Sequence, residues 1–374
     1  MSGIYIHIPF CKQACFYCDF HFSTSMAKRV EMVAALQQEL KLRKDEFKNE
    51  LVETIYFGGG TPSVLKSEEI NNLIYSVYEH YRVSDNPEIT LEANPDDLSK
   101  SRINEMSQSK INRLSIGIQS FFEDDLKLMN RAHSAIEAEE SLIMATSQFD
   151  NISIDLIYGI PGATDAQWLQ NIKKALSFNI PHISSYALTV EPNTALAHMV
   201  EKGKIANVDD EAAERQFNML VDELEEKEFV HYEISNFGKE GYFSKNNTAY
   251  WQGKKYIGIG PSAHSYDGKE RGWNIKNNIK YIKSIQANKL PIEIEILTTA
   301  DRYNEYIMTG LRTIWGVSIV KITKEFGEKY SDYLIQQSAK SRSQNLLIIE
   351  NNTIKVTKKG KFLADGLAAD LFMV

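Results

Sequence analysis

Short runs of apolar and β-branched residues alternate along the first half of the chain with longer segments in which apolar residues recur every three or four positions. The short runs predict β-strands and the longer segments predict amphipathic helices. Six strands are expected, over residues 3–7, 54–57, 88–92, 113–118, 151–157 and 182–188. Helices are expected over residues 26–47, 67–81, 99–108, 122–147 and 164–178. The segment 122–147 is expected to form two helices, with a break near residue 133.

This alternation of strands and helices predicts βαβ units, and therefore a parallel sheet with helices outside it. Six units are fewer than the eight of a closed barrel, so the expected fold is α/β with a partial (β/α)6-type barrel. A helix over residues 209–227 and a loop-rich extension follow the sixth strand. The barrel and its extension are expected to occupy residues 1–290.

A second unit is expected over residues 291–374. Its pattern predicts helices over 301–314, 318–326, 331–338 and 358–371, and a hairpin formed by 345–350 and 353–357. Helices followed by a β-hairpin are typical of a winged-helix-like domain. Residues 301–374 contain 11 Lys and Arg against 8 Asp and Glu. This small excess does not support DNA binding, so the unit is interpreted as a cover or docking piece for the barrel.

All three cysteines of the chain, Cys11, Cys15 and Cys18, lie in a short loop directly after the first predicted strand. The C-x3-C-x2-C spacing allows three thiolates to reach one metal centre. A 4Fe-4S cluster held by three thiolates keeps one iron free for a small molecule. With His21 the loop is also compatible with a closed Cys3His zinc site, and the cysteines could alternatively be buried apolar residues. An odd number of closely spaced cysteines argues against a disulfide framework.

Distinctive residues follow the other predicted strands as well. The glycine turn of residues 58–60 follows strand two, Glu92 lies at the end of strand three, and Gln119 follows strand four. Asp155 lies on strand five. Because the carboxyl ends of parallel strands meet at one edge of the sheet, these residues are expected on the same rim as the cysteine loop. Each alone has an ordinary structural interpretation as a turn or a solvated strand end.

Overall composition narrows the class of protein. Hydrophobic residues make up 43% and charged residues 25% of 374 residues, values that are ordinary for a globular protein. A net charge of −8 and a pI near 5.6 argue against general nucleic-acid affinity. The sequence contains no apolar run of membrane-spanning length and no export signal, so a cytoplasmic location is expected.

The segment Tyr5–Cys11, with Cys15 and Cys18, resembles the signature of radical S-adenosylmethionine (SAM) proteins of the oxygen-independent coproporphyrinogen oxidase group. Further matching blocks extend over nearly the whole chain. They are residues 58–63, 92–95, 113–121, 155–162, 231–237 and 258–265. The order and number of these blocks make the resemblance specific.

The resemblance implies that the three cysteines bind a 4Fe-4S cluster and that SAM binds its free iron, where reductive cleavage would give methionine and a 5'-deoxyadenosyl radical. Gly59 and Gly60 would then receive the amino-acid end of SAM, Arg131 its carboxylate and Asp155 the ribose hydroxyls. Family positions for further SAM contacts fall on Tyr5, Tyr17, Thr61, Glu92, Gln119 and Ala187.

Two departures from the oxidases favour the heme-chaperone branch of the group. Phe20 stands where the oxidases have a fourth cysteine, and their N-terminal extension is not found here. That branch is associated with binding heme and transferring it to apo-hemoproteins. Oxidation of coproporphyrinogen III or a related substrate is the alternative. The heme recipient and the electron donor are expected partners, and delivery of heme to a respiratory enzyme would imply peripheral membrane contact.

The heme-binding motif that is usual in this branch is altered in this chain. The branch usually carries a His-Asn-x-x-Tyr motif, but here the block begins with Asn246 and ends with Tyr250. Asparagine is a poor axial ligand for heme iron. If heme binds, Tyr250, His231 or His264 is expected to ligate it.

Overall fold

A computed structural model describes residues 2–373. Six parallel strands form its centre, and all six were predicted from the sequence. They are β1 Ser2–Ile8, β2 Val52–Gly59, β3 Val83–Ala93, β4 Arg113–Gln119, β5 Ile152–Tyr158 and β6 His182–Ala187. Each strand pairs in parallel with the next one in sequence. The α/β fold is therefore confirmed.

The helices between these strands agree with the predicted pattern, including the break near residue 133. They are α1 Arg29–Leu42, α2 Ser67–His80, α3 Lys100–Ser107, α4 Glu123–Leu128, α5 Ala135–Thr146 and α6 Asp165–Ser177. Short 3-10 helices lie at Lys44–Phe47, Pro62–Val64 and Pro95–Asp97. Alternate residues of β1 separate the two faces of the sheet, because Ile4 and Ile6 are buried in the apolar core that includes residues of α1, whereas Tyr5 lies beside Tyr56 on the other face.

Sequence reasoning resolved only one of the elements between β6 and the C-terminal unit. The helices are α7 Ala195–Glu201, α8 Asp210–Glu226, α9 Lys245–Trp251 and α10 Asn278–Gln286. The strands are β7 Val230–Glu233, β8 Asn236–Gly238, β9 Lys255–Ile259, β10 His264–Tyr266, β11 Glu270–Asn274 and β12 Ile292–Ile296. Only the helix over residues 209–227 was predicted, as α8. The loop-rich interpretation of the remainder was therefore incomplete.

These added strands explain why the barrel is partial. The sheet order is β12-β11-β10-β9-β1-β2-β3-β4-β5-β6-β8-β7. The outer edge of β1 pairs with β9, and the outer edge of β6 pairs with β8. Neither edge is left to pair with the other, so the six parallel strands form an open barrel.

The C-terminal unit has its own apolar core around Tyr303, Ile307 and Leu334. Its helices are α11 Thr299–Leu311, α12 Ile319–Phe326, α13 Glu328–Gln337, α14 Ala339–Ser343 and α15 Ala364–Ala369. Its strands are β13 Val317–Ser318, β14 Leu347–Glu350 and β15 Thr353–Val356, which form one antiparallel sheet. A 3-10 helix, Lys358–Leu363, precedes α15. The predicted boundary after residue 290 remains a prediction, and β12, which follows it, still belongs to the large sheet.

The segment between α11 and β13 docks this unit on β7 and on α9 of the extension. Thr313 forms a β-bridge with Glu233 at the end of β7, and the N–H of Ile314 donates to the carbonyl of Tyr232 at 3.0 Å. Arg312, which precedes Thr313, lies over the ring of Trp251 in α9, 5.2 Å from the ring centroid. The C-terminal unit therefore contacts both the β7 edge and the α9 side of the extension.

Candidate functional site

The cysteine loop begins where β1 ends, and two backbone hydrogen bonds fasten it to the glycine turn after β2. Gly60 N donates to Ile8 O at 2.9 Å, and Thr61 N donates to Phe10 O at 2.7 Å. A Cβ on residue 60 would lie 2.6 Å from Phe10 O. Only glycine therefore permits this approach. The predicted proximity of the glycine turn and the cysteine loop is present in the structure.

The loop is also fastened to the segment that joins α4 to α5. Phe16 N donates to Met129 O at 3.1 Å, and the amide of Asn130 donates to Ala14 O at 2.7 Å. Asn130 has a left-handed backbone, with φ of 55°, which asparagine tolerates better than most residues. The next residue along the chain is Arg131. This segment thus brings a cation to the cysteines.

Arg131 contacts the cysteine loop and the rim together. Its Nη1 lies 3.3 Å from Cys15 Sγ and 3.3 Å from the hydroxyl of Tyr17. Its Nη2 donates to Asn94 Oδ1 and to Gly117 O, each at 2.8 Å. The Nε atom is buried and has no hydrogen-bond partner among residues 2–373. An unused donor at this position suits an anionic group such as a carboxylate.

The three thiols lie close enough to influence one another. Burial raises the pKa of Cys11 to about 11, a hydrogen bond from Thr61 opposes this, and nearby Cys18 and Cys15 raise it further. Burial also raises the pKa of Cys18. The thiols of Cys11 and Cys18 therefore favour the neutral form until a metal centre compensates for the clustered negative charge.

The zinc alternative with His21 is not formed. Nε2 of His21 lies 2.7 Å from Asn278 Oδ1, and its ring stacks on His7 with centroids 6.2 Å apart. Among residues 2–373 no three His, Cys, Asp or Glu side chains converge on the position of a single metal ion. A cubane does not require such convergence, because each thiolate binds a different iron.

Two carboxyl groups, those of Glu92 and Asp155, lie inside the barrel near the rim. Burial raises the pKa of Glu92 to about 7, although the hydroxyl of Tyr56 donates to its Oε1 at 2.8 Å and favours the ionised form. Burial likewise raises the pKa of Asp155 to about 6, against the effects of Ser184 and Arg113. These groups can accept hydrogen bonds from a polar ligand, and they are easily protonated.

The remaining predicted SAM contacts are placed as follows. Tyr5 lies beside Tyr56, with its hydroxyl 3.2 Å from His7 Nδ1, and burial raises its pKa. Gln119 ends β4 with φ of 67°, a left-handed conformation that is uncommon for a side chain of this kind. Ala187 ends β6. Both strands end on the rim, as β1 does, because all six strands run in the same direction.

Sequence reasoning did not single out Tyr56, Asn94 or Asn130. Asn94 belongs to the noted block after strand three, and Asn130 immediately precedes Arg131, so position could have indicated both. Tyr56 lies two residues before the glycine turn, on the same strand face as Gly58. Its partnership with Glu92 depends on the register of β2 and β3, which a single sequence does not reveal.

The candidate heme ligands are not brought together. Asn246 Oδ1 accepts from Thr54 near the start of β2, at 3.1 Å, and its N–H donates to Glu88 at 3.1 Å. These contacts place α9, which carries Tyr250, at the amino ends of the strands. This end of the barrel is opposite to the cysteine loop. Tyr250 is 49% exposed.

His231 and His264 lie elsewhere. His231 is 5% exposed, and both ring nitrogens are engaged, with Nε2 3.1 Å from Ile234 O and Nδ1 accepting from Lys361 at 2.8 Å. Burial, reinforced by Lys361, lowers its pKa to about 3. His264 is exposed, follows the carboxyl end of β9 and lies beside Trp273. The three candidate ligands therefore do not form one site.

Comparisons with known proteins agree with this architecture. Residues 5–176 match the Radical SAM superfamily, and residues 297–363 match the HemN C-terminal domain. Coproporphyrinogen III oxidase (HemN) from Escherichia coli has the same fold, with a TM-score of 0.87 and 21% identity over 100% of this chain and 90% of that one. The open parallel barrel and its cysteine loop thus define a radical SAM protein.

Curated relatives identify the family of this chain more narrowly. The heme chaperone HemW of Bacillus subtilis is 34% identical over 98% of this chain and 97% of its own length. HemW of Lactococcus lactis is 32% identical over 98% of each chain. The chain therefore belongs to the heme chaperone HemW family. Radical SAM proteins bind a 4Fe-4S cluster and SAM, and the clustered thiols, the glycine turn and the unpaired Arg131 Nε fit these groups.

Proposed function

We propose that Cys11, Cys15 and Cys18 hold a 4Fe-4S cluster and that SAM binds beside it. The observation that carries this proposal is the placement of Arg131, which lies 3.3 Å from Cys15 Sγ and whose buried Nε has no hydrogen-bond partner among the described residues. When bound, the cluster supplies an electron to SAM, and SAM supplies a sulfonium that can be reduced.

The chain's own residues then bind and orient SAM. Arg131 receives the carboxylate, while Gly59 and Gly60 allow the amino-acid end to approach the backbone. Asp155 accepts from the ribose hydroxyls. Supporting contacts come from the remaining family positions, Tyr5, Tyr17, Thr61, Glu92, Gln119 and Ala187.

For the whole protein we propose binding of heme and its transfer to apo-hemoproteins in the cytoplasm. Two proteins named heme chaperone HemW are 34% and 32% identical to this chain over nearly its whole length, which supports this function. Phe20, which stands where the oxidases have a cysteine, supports it as well. Within residues 2–373 no helix is long and apolar enough to cross a bilayer.

Tyr250 is the favoured heme-iron ligand. Its side chain is half exposed, whereas both nitrogens of His231 are already hydrogen-bonded. Asn246, which stands in place of the family's histidine, is held by Thr54 and Glu88. A phenolate is an established ligand for ferric heme.

The cluster and SAM are tested by anaerobic reconstitution, followed by iron and sulfide analysis and electron paramagnetic resonance of the reduced protein with and without SAM. We expect about four irons per chain and a spectrum that changes when SAM is added. Zinc without sulfide, or a spectrum that is insensitive to SAM, would contradict the proposal.

Heme transfer is tested by absorbance, with heme-loaded protein mixed with apomyoglobin. The alternative function, oxidation of coproporphyrinogen III, is favoured by the shared fold with HemN alone. Incubation with coproporphyrinogen III, SAM and reductant separates the two functions. We expect heme transfer and no decarboxylated product, and turnover would favour the oxidase instead.

A further inference from the structure

A cavity of about 240 Å³ lies between β7 and the C-terminal unit, away from the cysteine loop. Three cationic side chains line it, those of Arg312, Lys355 and Lys361. The apolar part of its wall includes Leu311, Ile314, Val356 and Ala364. Cations from the C-terminal unit are thus gathered over a pocket whose opposite wall belongs to β7.

These cations are incompletely neutralised by the protein. Lys355 Nζ lies 3.7 Å from Glu350, and Lys361 Nζ lies 3.7 Å from Glu225. Arg312 Nη1 contacts Asp365 at 3.2 Å, but the side chain of Asp365 is largely exposed. Arg312 Nε is buried and has no hydrogen-bond partner in the described part of the chain. Long ion pairs to solvated carboxylates stabilise little, so the cavity retains positive potential.

The single carboxyl group in the wall does not cancel this potential fully. Glu233 is buried, and this burial raises its pKa to about 7. The neighbouring His231 is neutral, since its Nδ1 accepts from Lys361. A bound anion would therefore meet three cations, a neutral imidazole and a carboxyl group that is partly protonated near neutrality.

Two side-chain contacts connect the cavity wall to the proposed heme-iron ligand. Arg312 lies 5.2 Å over the ring of Trp251, and Trp251 packs edge to face with Tyr250 at 5.7 Å. Two and three residues after Arg312, the side chains of Ile314 and Trp315 are more than one third exposed. An apolar and aromatic surface therefore lies alongside the cationic cavity.

We propose that this cavity binds a carboxylate arm of heme, that is, a propionate, while the macrocycle lies outside on the surface near Tyr250. The volume is sufficient for a carboxylate arm with water but not for a porphyrin ring. Arginine and lysine bind carboxylates by charge-assisted hydrogen bonds. This inference rests on the proposed heme binding and adds the recognition of its propionates.

The test combines a change in the protein with a change in the ligand. Heme and heme dimethyl ester, in which both propionates are blocked, are titrated by absorbance against the reconstituted wild type and the Lys355→Gln/Arg312→Gln variant. We expect the variant to bind heme about tenfold more weakly. We also expect the ester to bind wild type about tenfold more weakly than heme, and to lose little further affinity in the variant.

Lys358→Gln is the matched control, because Lys358 precedes α15 in the same segment but pairs with Asp222 and Glu225, at 2.8 Å each, outside the cavity wall. Its heme affinity should equal that of wild type. Lys355 is partly exposed, so the single variants Lys355→Gln and Lys355→Glu are tested as well, in case loss of Arg312 impairs folding. Lys355→Glu should weaken heme binding more than Lys355→Gln.

The outcomes separate this inference from the proposed function. Tight heme binding by wild type with equal affinity for the ester, or with unchanged affinity in both Lys355 variants, would overturn the propionate site while heme binding stands. Failure of wild type to bind either ligand would overturn both.

Discussion

At the level of single residues, position 60 requires glycine because two backbone segments approach each other closely there. A methyl group there would lie 2.6 Å from Phe10 O and 2.8 Å from Ile8 O. Gly60→Ala should therefore separate the glycine turn from the cysteine loop, lowering the free energy of unfolding by about 1–3 kcal/mol and reducing the iron content after reconstitution. Urea unfolding and iron analysis measure these effects.

Gly366 provides the control for this substitution. It lies in α15, and a Cβ there would meet no heavy atom within 4 Å. Gly366→Ala should keep the iron content and raise the free energy of unfolding by about 0.5–1 kcal/mol, since alanine favours a helix. Equal iron content in both variants would contradict the account of Gly60.

Arg131 acts through the shape of its guanidinium group as well as its charge. Nη1 faces Cys15 and Nη2 holds Asn94, so lysine could supply only one of these directions. Arg131→Met should weaken SAM binding at least tenfold, and Arg131→Lys should fall between this variant and wild type. Titration of the reduced cluster's spectrum with SAM measures the affinity. Full affinity in Arg131→Lys would show that charge alone suffices.

Glu92 should make stability depend on pH. Burial raises its pKa in the folded protein to about 7, above the ordinary value near 4.3 in the unfolded chain. The contribution of Glu92 to the free energy of unfolding is therefore fully present below about pH 4 and is lost as the pH rises through 7. From pH 5 to pH 8, wild type should lose on the order of 2 kcal/mol relative to Glu92→Gln, as measured by urea unfolding without SAM.

An exposed carboxylate, Glu226, is the reference for this pH series. Glu226→Gln should follow wild type at each pH, because its side chain remains in water. A difference between Glu92→Gln and wild type that stays constant with pH, or that grows in favour of wild type, would contradict the assignment of Glu92.

At the level of elements, a buried network joins α1 to the extension around β9. Glu39 accepts from Gly260 N at 2.8 Å, from Asn274 at 2.7 Å and from the hydroxyl of Tyr281 at 2.5 Å. Arg43, one turn later, lies 3.3 Å from Glu39 and donates to Gly258 O at 2.8 Å. The C-terminal part of α1 and the residue that follows it thus form hydrogen bonds with the β9 region, β11 and α10.

Breaking this network should be strongly destabilising. Arg43→Met leaves the carboxyl of Glu39 buried without its cation, and we expect a loss of about 3–5 kcal/mol in the free energy of unfolding. Lys41→Met, on the exposed side of the same helix, should change it by less than about 0.5 kcal/mol. Urea unfolding compares the two. Similar values for both variants would mean that the network contributes nothing specific.

The same network illustrates how far the sequence predicts the fold. The six parallel strands and the helices between them have periodic patterns that arise locally, and their predicted bounds lie within five residues of the observed ones. The strands β9 to β12 are short, and their pairing depends on contacts such as that of Arg43 with Gly258, more than 200 positions apart. In the site, Gly59, Gly60 and Gln119 were singled out from their positions at the ends of strands. The partnership of Tyr56 with Glu92 depends on the register of two strands, which the sequence does not reveal.

At the level of the whole molecule, the two proposed binding regions lie at opposite ends of the barrel strands. Cys11, Cys15 and Cys18 follow the carboxyl end of β1, whereas Asn246 contacts Thr54 near the start of β2. Heme bound near Tyr250 would therefore not touch the cluster. Any influence of the cluster on heme would have to pass through the barrel or through the C-terminal unit, which contacts α9 at Trp251.

This separation allows the heme ligand to be identified without disturbing the cluster. Tyr250→Phe removes only a hydroxyl from a half-exposed side chain, so we expect loss of the absorbance bands of phenolate-ligated ferric heme while the iron and sulfide content stays unchanged. His264→Asn should retain those bands, because His264 lies near the opposite end. A heme spectrum that is unaltered in a triple variant of Tyr250, His231 and His264 would exclude all three ligands, and loss in His264→Asn alone would move heme to the cluster end of the barrel.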